Sequence, residues 1–225
     1  MFCGVKFLSL NMFGKSICKG GVEAYNANFV CPPVIYLTFD DGPNPNLTPK
    51  VLDLLAKYKQ KATFFCIAKN AEKYPEIVKR IVAEGHTLGS HDLHHHWTSN
   101  FRLTKKMTEE IGESVRILEE ISTSTGSATE IKIKYYRPPV GLSNPHLFAT
   151  LKKLNLQCVG WSKSVCDNGN RNVWAIKKIP NIKTKMGDIV LLHDNAPIKN
   201  EELFLQNLEK LFTALASHDT LSKSL

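Results

Sequence analysis

Two neighbouring carboxylates at the exit of an apolar run are the first chemistry this chain offers. Val34-Ile35-Tyr36-Leu37 leads directly into Thr38-Phe39-Asp40-Asp41-Gly42-Pro43. Adjacent side chains on an extended strand point to opposite faces, but a Gly-Pro turn bends the strand end, so that both carboxylates can serve one pocket. One could hold a cation while the other handles a proton. Taken alone, the same six residues also make a plain capped turn.

His91-Asp92-Leu93-His94-His95-His96 is the second unusual run. His91 and His95 are four residues apart, so a helical turn would set both imidazoles on one face, where they can share a metal; His91 with His94 would do nearly as well. Asp40 or Asp41 offers the third ligand. Zn²⁺ held by two histidines and a carboxylate, with one position open, is a usual hydrolytic arrangement. His86 is spaced less well and is expected to be a structural hydrogen-bonder near the end of a 75–84 helix.

Three further stretches end elements with chemically useful residues. Arg137-Pro138-Pro139-Val140-Gly141 is a stiff turn that aims Arg137 and leaves the Val140 N–H available as a donor. Trp161-Ser162-Lys163-Ser164-Val165-Cys166-Asp167 closes another strand, its Trp and Asp also readable as core and turn. Gly187-Asp188-Ile189-Val190-Leu191-Leu192-His193 delivers a histidine at the mouth of an apolar strand, a candidate general acid or base.

The elements that must position these residues show in the hydrophobic period. β-rich apolar runs at 34–39, 61–67, 133–136, 157–161 and 187–192 alternate with helical segments: Thr48 to Tyr58, a second opened by Pro75, an amphipathic helix over 104–121 carrying Met107, Ile111, Val115 and Leu118, and a last one capped by Asn200. Alternation of strand and helix implies parallel pairing with right-handed crossovers, in an open doubly wound sheet or a closed barrel. Residues 1–32 are poorly patterned and 218–225 read as a tail, which leaves one domain over 33–217.

Composition narrows the class. With 43% hydrophobic and 22% charged residues the chain is ordinary for a soluble globular protein. Lys and Arg exceed Asp and Glu by 29 to 21, a net charge of +8, yet no arginine-rich arm or nucleic-acid motif accompanies the excess, so no nucleic-acid partner is expected. An anionic polymer or a cell wall could exploit it. The six cysteines have neither zinc-ribbon nor CxxC spacing and suggest no disulfide framework. No stretch is long and apolar enough for a transmembrane segment. The first ten residues lack a basic n-region and a sustained apolar core, so no signal peptide is expected, although a glycan-wall substrate would imply export.

Taken in order, these motifs resemble those of the polysaccharide deacetylase family, the NodB-like carbohydrate esterases. Thr38 to Pro43 is identical to that family's first motif, His91-xxx-His95 matches the second, Arg137 to Gly141 the third, Trp161 to Asp167 part of the fourth, and Leu191-Leu192-His193 the fifth; the resemblance covers about residues 33 to 195. It implies a distorted (β/α) barrel of about seven parallel strands that removes N-acetyl groups from amino-sugar glycans such as chitin or peptidoglycan. Under it, Asp40 is the general base and Asp41, His91 and His95 hold the metal, Zn²⁺ or another divalent ion such as Co²⁺. Arg137 orients Asp40, His193 protonates the leaving amine, Asp167 pairs with His193 and raises its pKa, and the Val140 N–H meets the oxyanion. Leu191 walls the acetyl pocket, and Trp161 lines the sugar side or only the core. His94 and His96 fall to supporting or surface roles.

Three departures from the family pattern bear on substrate. Asp92 stands where Ser or Thr usually follows the first ligand histidine. The fourth motif shows Ser164, Asp167 and Asn168 in place of two aspartates and a tryptophan, which removes one sugar-stacking face. Val140 replaces a common aromatic. These keep two alternatives in view: hydrolysis of a small amide or formamide on the same barrel, and a catalytically silent carbohydrate-binding relative.

Overall fold

Strand β1 (Val34–Asp40) is buried along its whole length, as a central parallel strand covered on both sides must be. The structure, a computed structural model, describes residues 33–96, 102–123, 131–218 and 220–225. Around β1 lie β2 (Ala62–Cys66), β3 (Thr87–Ser90), β4 (Tyr135–Tyr136), β5 (Gln157–Cys158), β6 (Lys163–Ser164), β7 (Ile189–His193) and β8 (Leu221–Lys223). Seven of them form one parallel path in the order β5-β4-β3-β2-β1-β7-β6, and β8 pairs in parallel with the start of β1. Edge strands β5 and β6 are joined by residues 159–162 alone. Four residues span at most about 14 Å, so the sheet must curl until its edges approach, which gives the distorted (β/α) barrel expected from the resemblance.

Register separates two surfaces. Asp40 pairs with His193, Phe39 with Leu192 and Thr38 with Leu191. Since side chains alternate along a strand, Leu37, Phe39 and Leu192 enter the outer apolar core, while Thr38, Asp40, Leu191 and His193 share the inner face. Phe39 stacks on Phe64, ring centroids 5.2 Å apart. The outer core is closed by α1 (Thr48–Lys57), α3 (Pro75–Ala83), α4 (Thr104–Thr123), α5 (Pro145–Lys153) and α7 (Ile198–Ser217), through residues such as Leu55, Ile81, Ile111, Leu151 and Phe212. Two short helices complete the set, α2 (Ala68–Lys73) and α6 (Val173–Ile176). Among the described residues no helix is long and apolar enough to cross a membrane.

Several expectations need correction. Residues 221–223 are strand β8 rather than tail, with the Leu221 N–H donating to the Pro33 carbonyl. Asn200 sits inside the first turn of α7, not at its cap, and its side chain donates to the Asn170 carbonyl at 2.8 Å. His91 to His96 is not a helical turn. Cys166 is disulfide-bonded, against the expectation from cysteine spacing. The poorly patterned residues 1–32 lie outside the described residues.

Candidate active site

Arg137 organises the barrel interior. It is fully buried, and it follows β4 directly, its own N–H donating to the Ser90 carbonyl at 3.0 Å. From there its guanidinium donates to Asp40 Oδ1 at 2.7 Å, Thr38 Oγ1 at 2.8 Å, the Gly160 carbonyl at 2.9 Å and the Val159 carbonyl at 3.2 Å. The Phe65 ring lies 4.2 Å beneath it. Burial alone lowers the pKa of this guanidinium, and the neighbouring Asp40 opposes that. A planar fork with several acceptors is how a buried arginine stays charged. One side chain therefore ties β1 to the closing edge of the barrel and fixes the orientation of Asp40, which is 3% exposed.

Asp41, one residue on, takes a left-handed conformation at φ 76°, so it does not simply face away from Asp40. Its Oδ1 lies 3.3 Å from His95 Nε2 and 3.5 Å from His91 Nε2. One ligand atom from each of Asp41, His91 and His95 lies within 4.8 Å of the others. The two imidazoles meet without a helix, because Asp92 at φ 75° and His95 at φ 58° coil the chain back. Helix α2 clamps both halves of this cluster. The N–H groups of Ala68 and Lys69 donate to the carbonyls of Asp92 and Leu93, the Ile67 N–H to the Gly42 carbonyl, and Asn70 Nδ2 to the Asp41 carbonyl. Ser114 of α4 adds a bond to the Asp92 carbonyl at 3.1 Å.

The donors suit a divalent cation. His91 Nδ1 lies 2.7 Å from the Arg137 carbonyl; against that acceptor Nδ1 must carry the proton, which leaves Nε2 bare toward Asp41. Burial penalises a charged His91, yet Asp40 and Asp41 pull its pKa upward. Burial also pushes the Asp41 carboxyl up, but the His91, His193 and His95 side chains around it hold it well below the usual carboxylate range. Burial and the neighbouring His91 lower the His95 pKa. The pocket thus favours positive charge among two imidazole nitrogens and one carboxylate oxygen, a hard-to-borderline donor set fitting zinc or a similar ion.

On the opposite side, His193 Nδ1 lies 2.9 Å and 3.1 Å from the two oxygens of Asp167, which is fully buried. Burial lowers the His193 pKa, but the Asp167 bond and charge overcome it and raise the value to about 9. Asn170 Nδ2 donates to the His193 carbonyl at 2.7 Å and to that of Asn195 at 3.1 Å, which fixes the strand end. Val140, 57% exposed, adopts φ 51° in the turn Pro139–Gly141. Among the described residues no backbone acceptor takes its N–H. Leu191 is buried on the inner face. Half-buried Trp161 has its ring against Gly141, where a Cβ would approach it to 2.3 Å, and 5.8 Å from the Arg137 guanidinium. Asn168 is exposed at φ 53°, and Ser164 Oγ accepts from the Cys166 N–H. His94 and His96 are exposed and pack on each other, while buried His86 accepts the Ala62 N–H.

Sequence reading missed Asp194. It is 1% exposed, accepts from Thr48 Oγ1 at 2.6 Å, and is pressed against Gly42 so closely that a Cβ there would lie 2.1 Å from Oδ2. Desolvation raises its pKa to about 7. It props the Gly42-Pro43 turn from below, which explains the glycine after Asp41. The only hint in the sequence was an acid directly after His193. Thr38 was quoted but not recognised as a partner of Arg137, although its i, i+2 spacing from Asp40 puts both on one face.

With this geometry in hand, similarity to known proteins is specific. The polysaccharide deacetylase family profile matches residues 28–159. A peptidoglycan-N-acetylglucosamine deacetylase of Bacillus cereus is 37% identical over 163 residues, 72% of each chain. A chitooligosaccharide deacetylase of Sinorhizobium fredii is 33% identical over 167 residues, 73% of this chain and 74% of the relative. The solved peptidoglycan deacetylase PdaC of Bacillus subtilis superposes with a TM-score of 0.72 at 28% identity, covering 85% of this chain and 87% of that one.

Proposed function

The chain belongs to the polysaccharide deacetylase family, and on that premise we propose that it is a metal-dependent hydrolase that releases acetate from N-acetylated amino-sugar glycans, with Zn²⁺ held by Asp41, His91 and His95. The observation that carries this reading is the division of labour between adjacent carboxylates: Asp41 faces the Nε2 atoms of two imidazoles, while Asp40 is oriented by a buried arginine. A bound divalent ion supplies Lewis acidity, which polarises a carbonyl oxygen and makes water a competent nucleophile near neutral pH.

The protein groups then divide the proton work. Arg137 occupies Asp40 Oδ1, and Oδ2 remains on the side of His91 Nε2, 3.8 Å away. Asp40 takes a proton from the attacking water as the new C–O bond forms. The Val140 N–H donates to the acetamide oxygen as negative charge builds on it. His193, kept protonated by Asp167, gives its proton to the nitrogen as the C–N bond breaks. Acetate and a free amine result. Leu191 walls the space for the acetyl methyl, and Trp161 flanks the sugar side.

The test is acetate release from N-acetylglucosamine oligomers of increasing length, with and without a chelator. The reading expects release that the chelator abolishes and added Zn²⁺ or Co²⁺ restores. Chelator-resistant turnover, or turnover confined to small non-sugar amides, contradicts it.

A further inference from the structure

The segment that follows Asp167 reaches the mouth of the site and carries two side chains the reaction does not use. Asn168, Gly169 and Asn170 are three successive left-handed residues, at φ 53°, 61° and 58°, a conformation that Asn and Gly tolerate best. The turn they make is not loose. The Asn172 N–H donates to the Asp167 carbonyl at 2.9 Å, and Asn170 is bonded to the carbonyls of His193 and Asn195. At its apex a Cβ on Gly169 would lie 3.4 Å from Asp41 Oδ2 and 3.6 Å from Arg171 Nη1. The Arg171 guanidinium therefore sits over the same point as the metal-site carboxylate, no farther from it than those two distances together.

Arg171 is exposed, and among the described residues no carboxylate lies within ion-pair distance of it. Among the described residues ten other lysine and arginine side chains have acidic partners, Arg80, Arg102 and Arg116 among them; Arg171 stays unneutralised beside the reaction centre. One turn on, beyond the cap Asn172, Trp174 in α6 is 77% exposed. Lys177 Nζ stands 5.4 Å from its ring centroid. So large an exposed indole, three residues beyond a cation that approaches the metal-site carboxylate, is a common mark of a contact surface. An arginine presents a planar fork that matches a carboxylate, and an indole presents a flat apolar face with a polar edge.

We propose that Arg171 and Trp174 form a subsite for an acidic sugar: the guanidinium takes a carboxylate carried by the attacked sugar or its neighbour, and the indole takes the apolar face of a sugar ring. The preferred substrate class is thus an N-acetylated amino-sugar glycan with a carboxylate within one sugar unit of the acetamide. This rests on the reading of the reaction given above. Trp174 also supplies, from a different position, the stacking face that the altered fourth motif lacks. The flanking cations Lys177 and Lys178 extend the positive potential along the rim and draw an anionic chain toward the site.

The experiment compares acetate release by the full chain, loaded with Zn²⁺, from a short oligomer containing N-acetylmuramic acid and from the same oligomer with its carboxyl groups amidated, which keeps shape and removes charge. A neutral N-acetylglucosamine oligomer runs beside them. The wild type is expected to prefer the charged oligomer in kcat/KM. Arg171→Gln should lower the charged-to-amidated ratio about tenfold, through KM, with partial recovery in Arg171→Lys and a parallel fall in 0.5 M salt, roughly. Trp174→Ala should raise KM for both oligomers and leave their ratio in place. A charged-to-amidated ratio that is the same in the wild type and Arg171→Gln overturns the assignment of the arginine, and an unchanged KM in Trp174→Ala overturns that of the indole. Acetate from the neutral oligomer without discrimination leaves the reaction standing and removes the subsite alone. No acetate from any oligomer sinks both.

Discussion

The wall built by β1, β3 and β4 and the rim built by residues 161–178 meet around the same space but are made differently. In the wall, Asp40, His91 and Arg137 are almost wholly buried, and Arg137 holds the other two, its guanidinium on Asp40 Oδ1 and its carbonyl on His91 Nδ1. In the rim, Trp174 and Arg171 are exposed, and the backbone runs through four left-handed residues from Cys166 to Asn170, a stretch in which only Asp167 and Asn170 are buried. Burying charge is expensive unless every partner is present, so the wall can accept few alternatives. The rim carries little such cost. Under the proposed function and subsite, reaction chemistry belongs to the wall and discrimination among glycans to the rim, with Asp167 linking the two through His193.

The most damaging way to break the wall is Arg137→Ala. It leaves Asp40 as an unpaired buried charge and opens the barrel interior, a loss of about 3–5 kcal/mol; urea unfolding should show that drop together with loss of turnover. Asp167→Asn attacks the link between wall and rim. The imidazolium of His193 is available below its pKa of about 9 and lost above it, and removing the carboxylate leaves burial to pull that pKa down. The alkaline limb of the kcat/KM profile should then move to lower pH, with turnover at neutral pH reduced by about tenfold or more. A bound cation lowers the limb in both proteins, so the displacement between them at fixed metal is the quantity to read. Smallest of the three is Val140→Gly. Glycine accepts φ 51° without strain and keeps the N–H, so thermal stability should hold or rise by about 1 kcal/mol while turnover changes less than about threefold. A large loss of activity would show that the isopropyl side chain, and not the backbone donor, matters there.

The same division decided what the sequence disclosed. β1, β2, β7, α1, α3, α4 and α7 are long or strongly periodic, and their apolar faces pack where the period places them. Thr87–Ser90 escaped because four residues with a glycine make no apolar run, and β6 because two half-buried residues make no pattern at all. Pairing with longer neighbours, not local propensity, makes them strands. Asp41, His91 and His95 were legible as ligand types, but the helical geometry assigned to the histidines was wrong, since left-handed Asp92 and His95 bring the rings together by another path. Asp194 and Arg171 were invisible: an acid under a turn and a cation over a glycine are set by tertiary approach alone.

The unequal roles of Asp40 and Asp41 are the centre of this account, and metal content measured alongside acetate release tests them most directly. Asn at position 40 still offers Arg137 an oxygen, so Asp40→Asn should fold, bind one Zn²⁺ per chain and lose about 10²- to 10⁴-fold in turnover, whereas His91→Ala should lose the metal as well. Wild-type turnover by Asp40→Asn, or stoichiometric Zn²⁺ in His91→Ala, would contradict it.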